Sequence, residues 1–171
     1  GFLSKSGFRT QTLMTTWSTA NSYSRFMTAD LDGDGDTDLV AQNNTGMWWA
    51  VMSTGTTFRS QRLMGWDPAL NWQDVGVADL SGDGKAEIFA RSKLTGDWWT
   101  LYWDGSTARS QKISTWNAAT VYSNLMIGDV TGDGRVDLVE RDMFGNFWAL
   151  NYNGSTYLTT FLRGWNTNVA W

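Results

Sequence analysis

The stretch that decides the fold reads DLDGDGDTD, from Asp30 to Asp38. It returns as DLSGDGKAE from Asp79 to Glu87 and as DVTGDGRVD from Asp129 to Asp137, with starts 49 and 50 residues apart. Each copy sets an oxygen-bearing side chain at positions 1, 3, 5 and 9 and glycine at positions 4 and 6. Such a loop suits a hard cation, calcium above all, which takes about six to eight oxygen ligands in flexible geometry. The first loop offers Asp30, Asp32, Asp34 and Asp38, with the carbonyl of Asp36 as a natural extra ligand. The second offers Asp79, Ser81, Asp83 and Glu87 with the carbonyl of Lys85. The third offers Asp129, Thr131, Asp133 and Asp137 with the carbonyl of Arg135. Three calcium sites are therefore expected.

The glycines let the backbone turn tightly around an ion, since they tolerate positive φ. The start of each loop resembles the EF-hand pattern D-x-[DN]-x-[DN]-G, but no glutamate stands at position 12 and no amphipathic helices flank it. The ninth residue is expected to supply the closing carboxylate, just before a strand. Charge supports the reading. Five, three and three of the chain's 17 acidic residues sit in the loops, leaving six acids against 13 basic residues elsewhere. Three bound Ca2+ would move the net charge from −4 to +2, so the acidic balance speaks of metal loops rather than of partners.

The chain has 171 residues, the ordinary size of one domain. Its 12 Trp, 8 Phe and 5 Tyr are enough to bury a sizeable core. With no Cys and no His, disulfides are absent, and zinc or haem ligation is not expected. Calcium can serve as the staple a secreted protein needs, and millimolar external calcium fills sites too weak for the cytosol. An extracellular or cell-surface location is therefore expected. No apolar run reaches the roughly 18 residues of a membrane span, and no basic cluster suggests nucleic acid.

The repeat extends beyond the loops. Trp17, Trp66, Trp116 and Trp165 recur at the same period, each followed six residues later by Tyr23, Trp72, Tyr122 or Trp171. Trp48-Trp49, Trp98-Trp99 and Phe147-Trp148 form a third set, which leaves Trp103 as the one tryptophan outside the repeat. Placement this regular argues first for a structural role. Each unit reads as four short strands. The first runs into the acidic loop and the second leaves it, as in AEIFARS. A glycine turn leads to the third, MWWAVMS, DWWTLYW or NFWALNY. A hairpin turn at Thr54-Gly55, Asp104-Gly105 or Asn153-Gly154 leads to the fourth. Side chains alternate along a strand, and both faces of the third strand are largely apolar, so each sheet must be covered on both sides. Four-stranded antiparallel blades of about 50 residues stacked around an axis, a β-propeller, meet that need. The expected units are a partial blade over 1–17, blades over 18–66, 67–116 and 117–165, and a lead-in to a further blade over 166–171.

The pattern D-x-[DST]-G-D-G-x-x-[DE] in a four-stranded repeat resembles the FG-GAP/VCBS repeat, the calcium-binding blades of integrin-α-like propellers and of many secreted bacterial proteins. The TG-x-WW segment is similar to the VCBS side of that family, and the literal Phe-Gly…Gly-Ala-Pro signature is missing. The resemblance covers essentially the whole chain. It implies a calcium-stabilised propeller blade, usually non-catalytic. Some propellers with similar loops are lectins that hold sugars between blades.

The expected function is a non-catalytic binding module for glycan or a protein surface. The alternatives are a structural or adhesive segment of a larger surface protein, and a polysaccharide-active enzyme. Trp103 and Tyr152 share a repeat position with Ser53, so packing alone does not fix that position, and they are the candidate ligand-stacking residues. The lead-ins Asp67 to Asn71 and Asn117 to Val121 are candidate ligand loops. The acids outside the loops, Asp67, Asp74, Asp97, Asp104, Glu140 and Asp142, form no recognisable catalytic pair in the sequence, and the lack of His and Cys excludes the usual nucleophilic triads. Three complete blades are too few to close a ring, which anticipates a homo-oligomer, a longer chain or a partner.

Overall fold

The computed structural model describes residues 15–165. The partial blade expected over 1–17 lies, but for its last three residues, outside the described residues, as does the lead-in at 166–171. The described chain is all-β, with three four-stranded antiparallel sheets in sequence. The first holds β1 (Tyr23–Ala29), β2 (Asp38–Asn43), β3 (Met47–Ser53) and β4 (Phe58–Gly65). The second holds β5 (Trp72–Ala78), β6 (Glu87–Ser92), β7 (Asp97–Trp103) and β8 (Ala108–Thr115). The third holds β9 (Tyr122–Gly128), β10 (Asp137–Asp142), β11 (Asn146–Tyr152) and β12 (Tyr157–Gly164). Each is a simple meander, the arrangement of a propeller blade.

Local chemistry explains the elements. The acidic loops join first to second strand, and the glycine turns join second to third. At those turns the chain passes very close to the end of the fourth strand. A Cβ on Gly96 would stand 1.8 Å from the Trp116 carbonyl oxygen, and one on Gly46 would stand 2.2 Å from that of Trp66. Backbone bonds fasten the approach: Trp66 N to Gly46 O at 3.0 Å, Trp116 N to Gly96 O at 2.9 Å and Trp165 N to Gly145 O at 2.8 Å. The recurrent Trp thus ends the fourth strand in the same way in every unit.

The core lies between sheets. Leu31, Val40, Trp48 and Trp66 of the first pack with Trp72, Ile88, Ala90 and Leu101 of the second. Leu80, Phe89, Trp98 and Trp116 of the second pack with Leu138 and Leu150 of the third. Trp48 and Trp98 are wholly buried. Both faces of β3 are covered, with Trp48, Ala50 and Met52 on one and Val51 and Ser53 on the other all buried, as the two-faced apolar pattern predicts. The matching outer face of the third sheet is open. Val130 is 51 % and Trp165 49 % exposed, where Leu31 and Trp66 are 3 % and 6 %.

Each first strand carries a bulge, where register shifts between Ser24 and Met27 and between Gln73 and Gly76, and in the third sheet between Ser123 and Met126, opposite Arg141 and Val139. The bulge residues Arg25, Asp74 and Asn124 have φ of 55°, 53° and 61°, a left-handed conformation that non-glycine residues rarely adopt. Arg25 and Asp74 face the next sheet and carry the polar part of the two interfaces.

Candidate metal loops and inter-sheet clefts

The three loops fold on one plan. The first Asp accepts backbone amides across the turn. Asp30 Oδ1 and Oδ2 take Gly33 N at 2.7 Å and Gly35 N at 2.9 Å. Asp79 does the same with Gly82 and Gly84, and Asp129 with Gly132 and Gly134. These bonds hold the Asp129 carboxyl below the ordinary carboxylate range. The fifth residue caps the seventh: Asp34, Asp83 and Asp133 each accept its amide at 2.9 Å. The ninth residue ties the loop to the sheet. Asp38 accepts Leu31 N and Ser53 N, Glu87 accepts Leu80 N, and Asp137 accepts Val130 N and Thr131 N.

The loops differ in how many carboxylates they gather. In the first, Asp30, Asp32 and Asp38 bring one oxygen each within 4.8 Å of the others, and in the second Asp79, Asp83 and Glu87 do so. Among the described residues the third loop holds no such trio. The cause is side-chain length and pairing. The second loop has Ser81 at position 3 and compensates with the longer Glu87 at position 9. The third has Thr131 and the shorter Asp137, while Arg135 Nη1 pairs with Asp133 Oδ2 at 3.2 Å. Asp34 is not one of the first trio, and Asp36 lies beside the hairpin glycine Gly55.

The donor set fits a hard cation. Burial first, then the charge of neighbouring aspartates, raises the carboxyls of Asp32, Asp38 and Glu87, so the gathered acids repel one another without a counter-charge. Asp137 is fully buried and its Oδ1 makes no hydrogen bond, which leaves a desolvated oxygen with a lone pair to offer.

The side chains at position 7 link successive loops. Lys85 Cγ and Cε lie 3.0 and 3.3 Å from where a Cβ on Gly33 would stand, and Arg135 packs in the same way over Gly82. Ala86 N donates to Asp30 O across the interface at 2.7 Å. Tyr157 of the third sheet has its phenol raised by burial and by the charge of Glu87, so the second loop is overlaid by the third sheet. Trp103, half-buried, packs on the core between the first two sheets, and Tyr152 stacks on Tyr157 with centroids 4.8 Å apart.

A second set of features recurs at the other end of the sheets. Trp66 stacks on Trp72 at 4.8 Å and donates Nε1 to Ser110 Oγ at 3.0 Å. Trp116 stacks on Tyr122 at 4.9 Å and donates to Thr159 Oγ1 at 2.9 Å. Trp17 does the same with Tyr23 and Ser60. Beside the first pair is a cleft of about 300 Å3 lined by Trp66, Asp67, Trp72 and Trp99. Beside the second is one of about 440 Å3 lined by Trp116, Asn117, Tyr122 and Trp148. The lead-in residues form the rims, with Asp67 capping a single 3-10 turn over Pro68–Leu70.

Sequence reasoning missed one cluster. Asp74 and Glu140, unrelated in the sequence, meet on Arg91. Its Nη2 lies 2.7 Å from Asp74 Oδ2 and 3.4 Å from Glu140 Oε2, and its guanidinium sits over the Tyr122 ring at 4.8 Å. Burial, then the Asp74 charge, pushes the Glu140 carboxyl up to about 8. An acid on a second strand among apolar neighbours is the signal that marks Glu140, since alanines hold its place at Ala41 and Ala90.

No curated protein matches the chain. Residues 30–90, from the first acidic loop into β6, match a family model described as an FG-GAP-like repeat.

Proposed function

We propose that the chain is a non-catalytic, calcium-stabilised β-propeller module that works outside the cell and binds glycan. The observation that carries the metal part is the gathering of three carboxylate oxygens within 4.8 Å in each of the first two loops, a donor set of hard oxygens that calcium accepts readily. Asp30, Asp32 and Asp38 would hold one ion and Asp79, Asp83 and Glu87 another. Asp129, Asp133 and Asp137 would hold a third, more weakly. Carbonyls of Asp36, Lys85 and Arg135 and side-chain oxygens of Asp34, Ser81 and Thr131 are the further ligands. A bound ion neutralises each loop and stiffens the crossing from first to second strand.

The clefts support the glycan part. The half-buried rings of Trp99, Tyr122 and Trp148 in these clefts, beside hydroxyl and carboxamide groups, suit the apolar face and polar edge of a pyranose, and repetition along the stack would raise avidity. Trp103 and Tyr152, at the loop end, remain candidates for contact with a larger ligand. The open face of the third sheet, a hollow of about 340 Å3 lined by Met126, Val130, Phe147, Leu162 and Trp165, supports closure of the ring by further blades, from a longer chain or a second copy.

Calorimetric titration with Ca2+ tests the metal reading. The native chain is expected to bind two to three ions, and Asp83→Ala to lose about one with a lower melting temperature. Equal stoichiometry in the two proteins would overturn it. A glycan array on Trp99→Ala and Trp148→Ala variants checks the clefts.

A further inference from the structure

The two interfaces place their charges differently, and one lacks a counter-ion. Arg25 and Asp74 occupy the same left-handed bulge position in successive first strands. Gln42 stands where the next sheet has Arg91, and Ala90 stands where the one after has Glu140. Around Asp74 the ionic set is complete within the protein, one guanidinium against two carboxyls. Around Arg25 there is a guanidinium and no acid. Every side-chain carboxyl of the chain lies between Asp30 and Asp142, inside the described residues, and among these Arg25 forms no ion pair.

Its surroundings are polar and only partly filled. Arg25 Nη1 donates to Gln42 Oε1 at 2.9 Å and Nη2 to the Trp72 carbonyl at 2.7 Å, which engages two of its five N–H groups. Burial lowers its pKa, a sign that its charge is partly stripped of water. It lines a half-enclosed cavity of about 190 Å3 with Asn43, Asn44, Asn71 and Trp72. The side-chain amides of Asn44 and Asn71 donate to no acceptor among the described residues. A partly desolvated cation beside free amide donors, with no anion supplied by the protein, is the arrangement that recruits one from solution.

We propose that this cavity between the first and second sheets binds the carboxylate of an external ligand, forked on the Arg25 guanidinium, with the amides of Asn44 and Asn71 on its rim. Carboxylate is favoured over a tetrahedral oxyanion because carboxylates answer the guanidinium in the next interface, where Asp74 and Glu140 meet Arg91. The small volume admits an acid end group, such as the carboxylate of a sugar acid. The site does not draw on the acidic loops, so it stands whether or not they hold calcium.

The test is calorimetric titration of the full chain with sodium acetate, sodium glucuronate and sodium sulfate at constant ionic strength, with sodium chloride as reference. The variant is Arg25→Asn, since Asn124 holds the same bulge conformation in the third sheet, so the backbone is preserved. Its melting temperature and circular dichroism verify folding. Saturable binding of glucuronate or acetate is expected, weakened about tenfold to a hundredfold in Arg25→Asn, the loss that follows removal of a charged hydrogen-bonding partner. Absence of saturable carboxylate binding, or binding that survives in a folded Arg25→Asn, overturns the proposal. Sulfate binding as tightly as either carboxylate and lost in the variant overturns the carboxylate assignment.

Discussion

The interface between the first and second sheets and that between the second and third use the same backbone plan and an aromatic pair at the same place, Trp66 with Trp72 and Trp116 with Tyr122. They differ in where charge is buried. The first holds Arg25, Gln42 and Ala90, a lone cation among neutral groups. The second holds Asp74, Arg91 and Glu140, with Arg91 and Glu140 1 % and 0 % exposed, and the Tyr122 ring completes the cage around the guanidinium. The contrast teaches that the repeat fixes the frame, namely turns, bulges and Trp stacks, while the polar set inside each interface is free to vary, provided that its charges are balanced from some source.

The largest expected break of this contrast is Arg91→Met. It leaves Asp74 and Glu140 without their cation and should cost about 3–5 kcal/mol in urea unfolding, whereas Gln42→Met at the equivalent place should cost only about 2 kcal/mol for its bonds to the Gly46 carbonyl and the Arg25 guanidinium. Equal losses would mean that the ionic set is not what distinguishes the interfaces.

The next effect is on pH. Glu140 faces Asp74, Arg91 and Tyr122, and its carboxyl is raised from 4.5 to about 8. Between those values the folded chain keeps a proton that the unfolded chain releases, so stability falls as pH rises from about 4.5 to about 8 and this contribution is level outside that window. Melting curves taken in saturating Ca2+, which removes the loop acids from the comparison, should show this slope in the native chain and a flatter one in Glu140→Gln. An identical slope in both proteins would remove Glu140 as its source.

Tyr122→Leu comes third. It withdraws the ring from Arg91 and should cost about 1–2 kcal/mol beyond the loss of packing, separable in a double-mutant cycle with Arg91→Met.

The smallest effect sharpens the same point at the loops. Asp137→Glu gives the third loop the reach that Glu87 gives the second, and should tighten the proposed Ca2+ binding there about threefold to tenfold, a change of roughly 1 kcal/mol. Unchanged affinity would show that the Arg135–Asp133 pair, rather than side-chain length, limits that loop.

Much of this was legible in the chain. MWWAVMS, DWWTLYW and NFWALNY coincide with β3, β7 and β11, because glycine turns bound them on both sides and leave no other register. The loops were legible because every one of their acids is local in sequence. The lack of a carboxylate trio in the third loop was not, since it depends on the length of one side chain and on the direction Arg135 takes. Nor was the meeting of Asp74 with Glu140, which lie in different repeats, or the cavity at Arg25, which exists only once the Trp72 backbone is laid against it.

The sequence by itself determined the repeat, the four strands of each unit, the acidic loops and the placement of the aromatic pairs, because each rests on short-range chemistry that recurs with the period. Only the tertiary structure decided which charges face one another, which clefts stay open and which face of the stack is left uncovered. Those outcomes depend on distances between residues far apart in the chain, and burial sets the energy of a charge by what happens to stand opposite it.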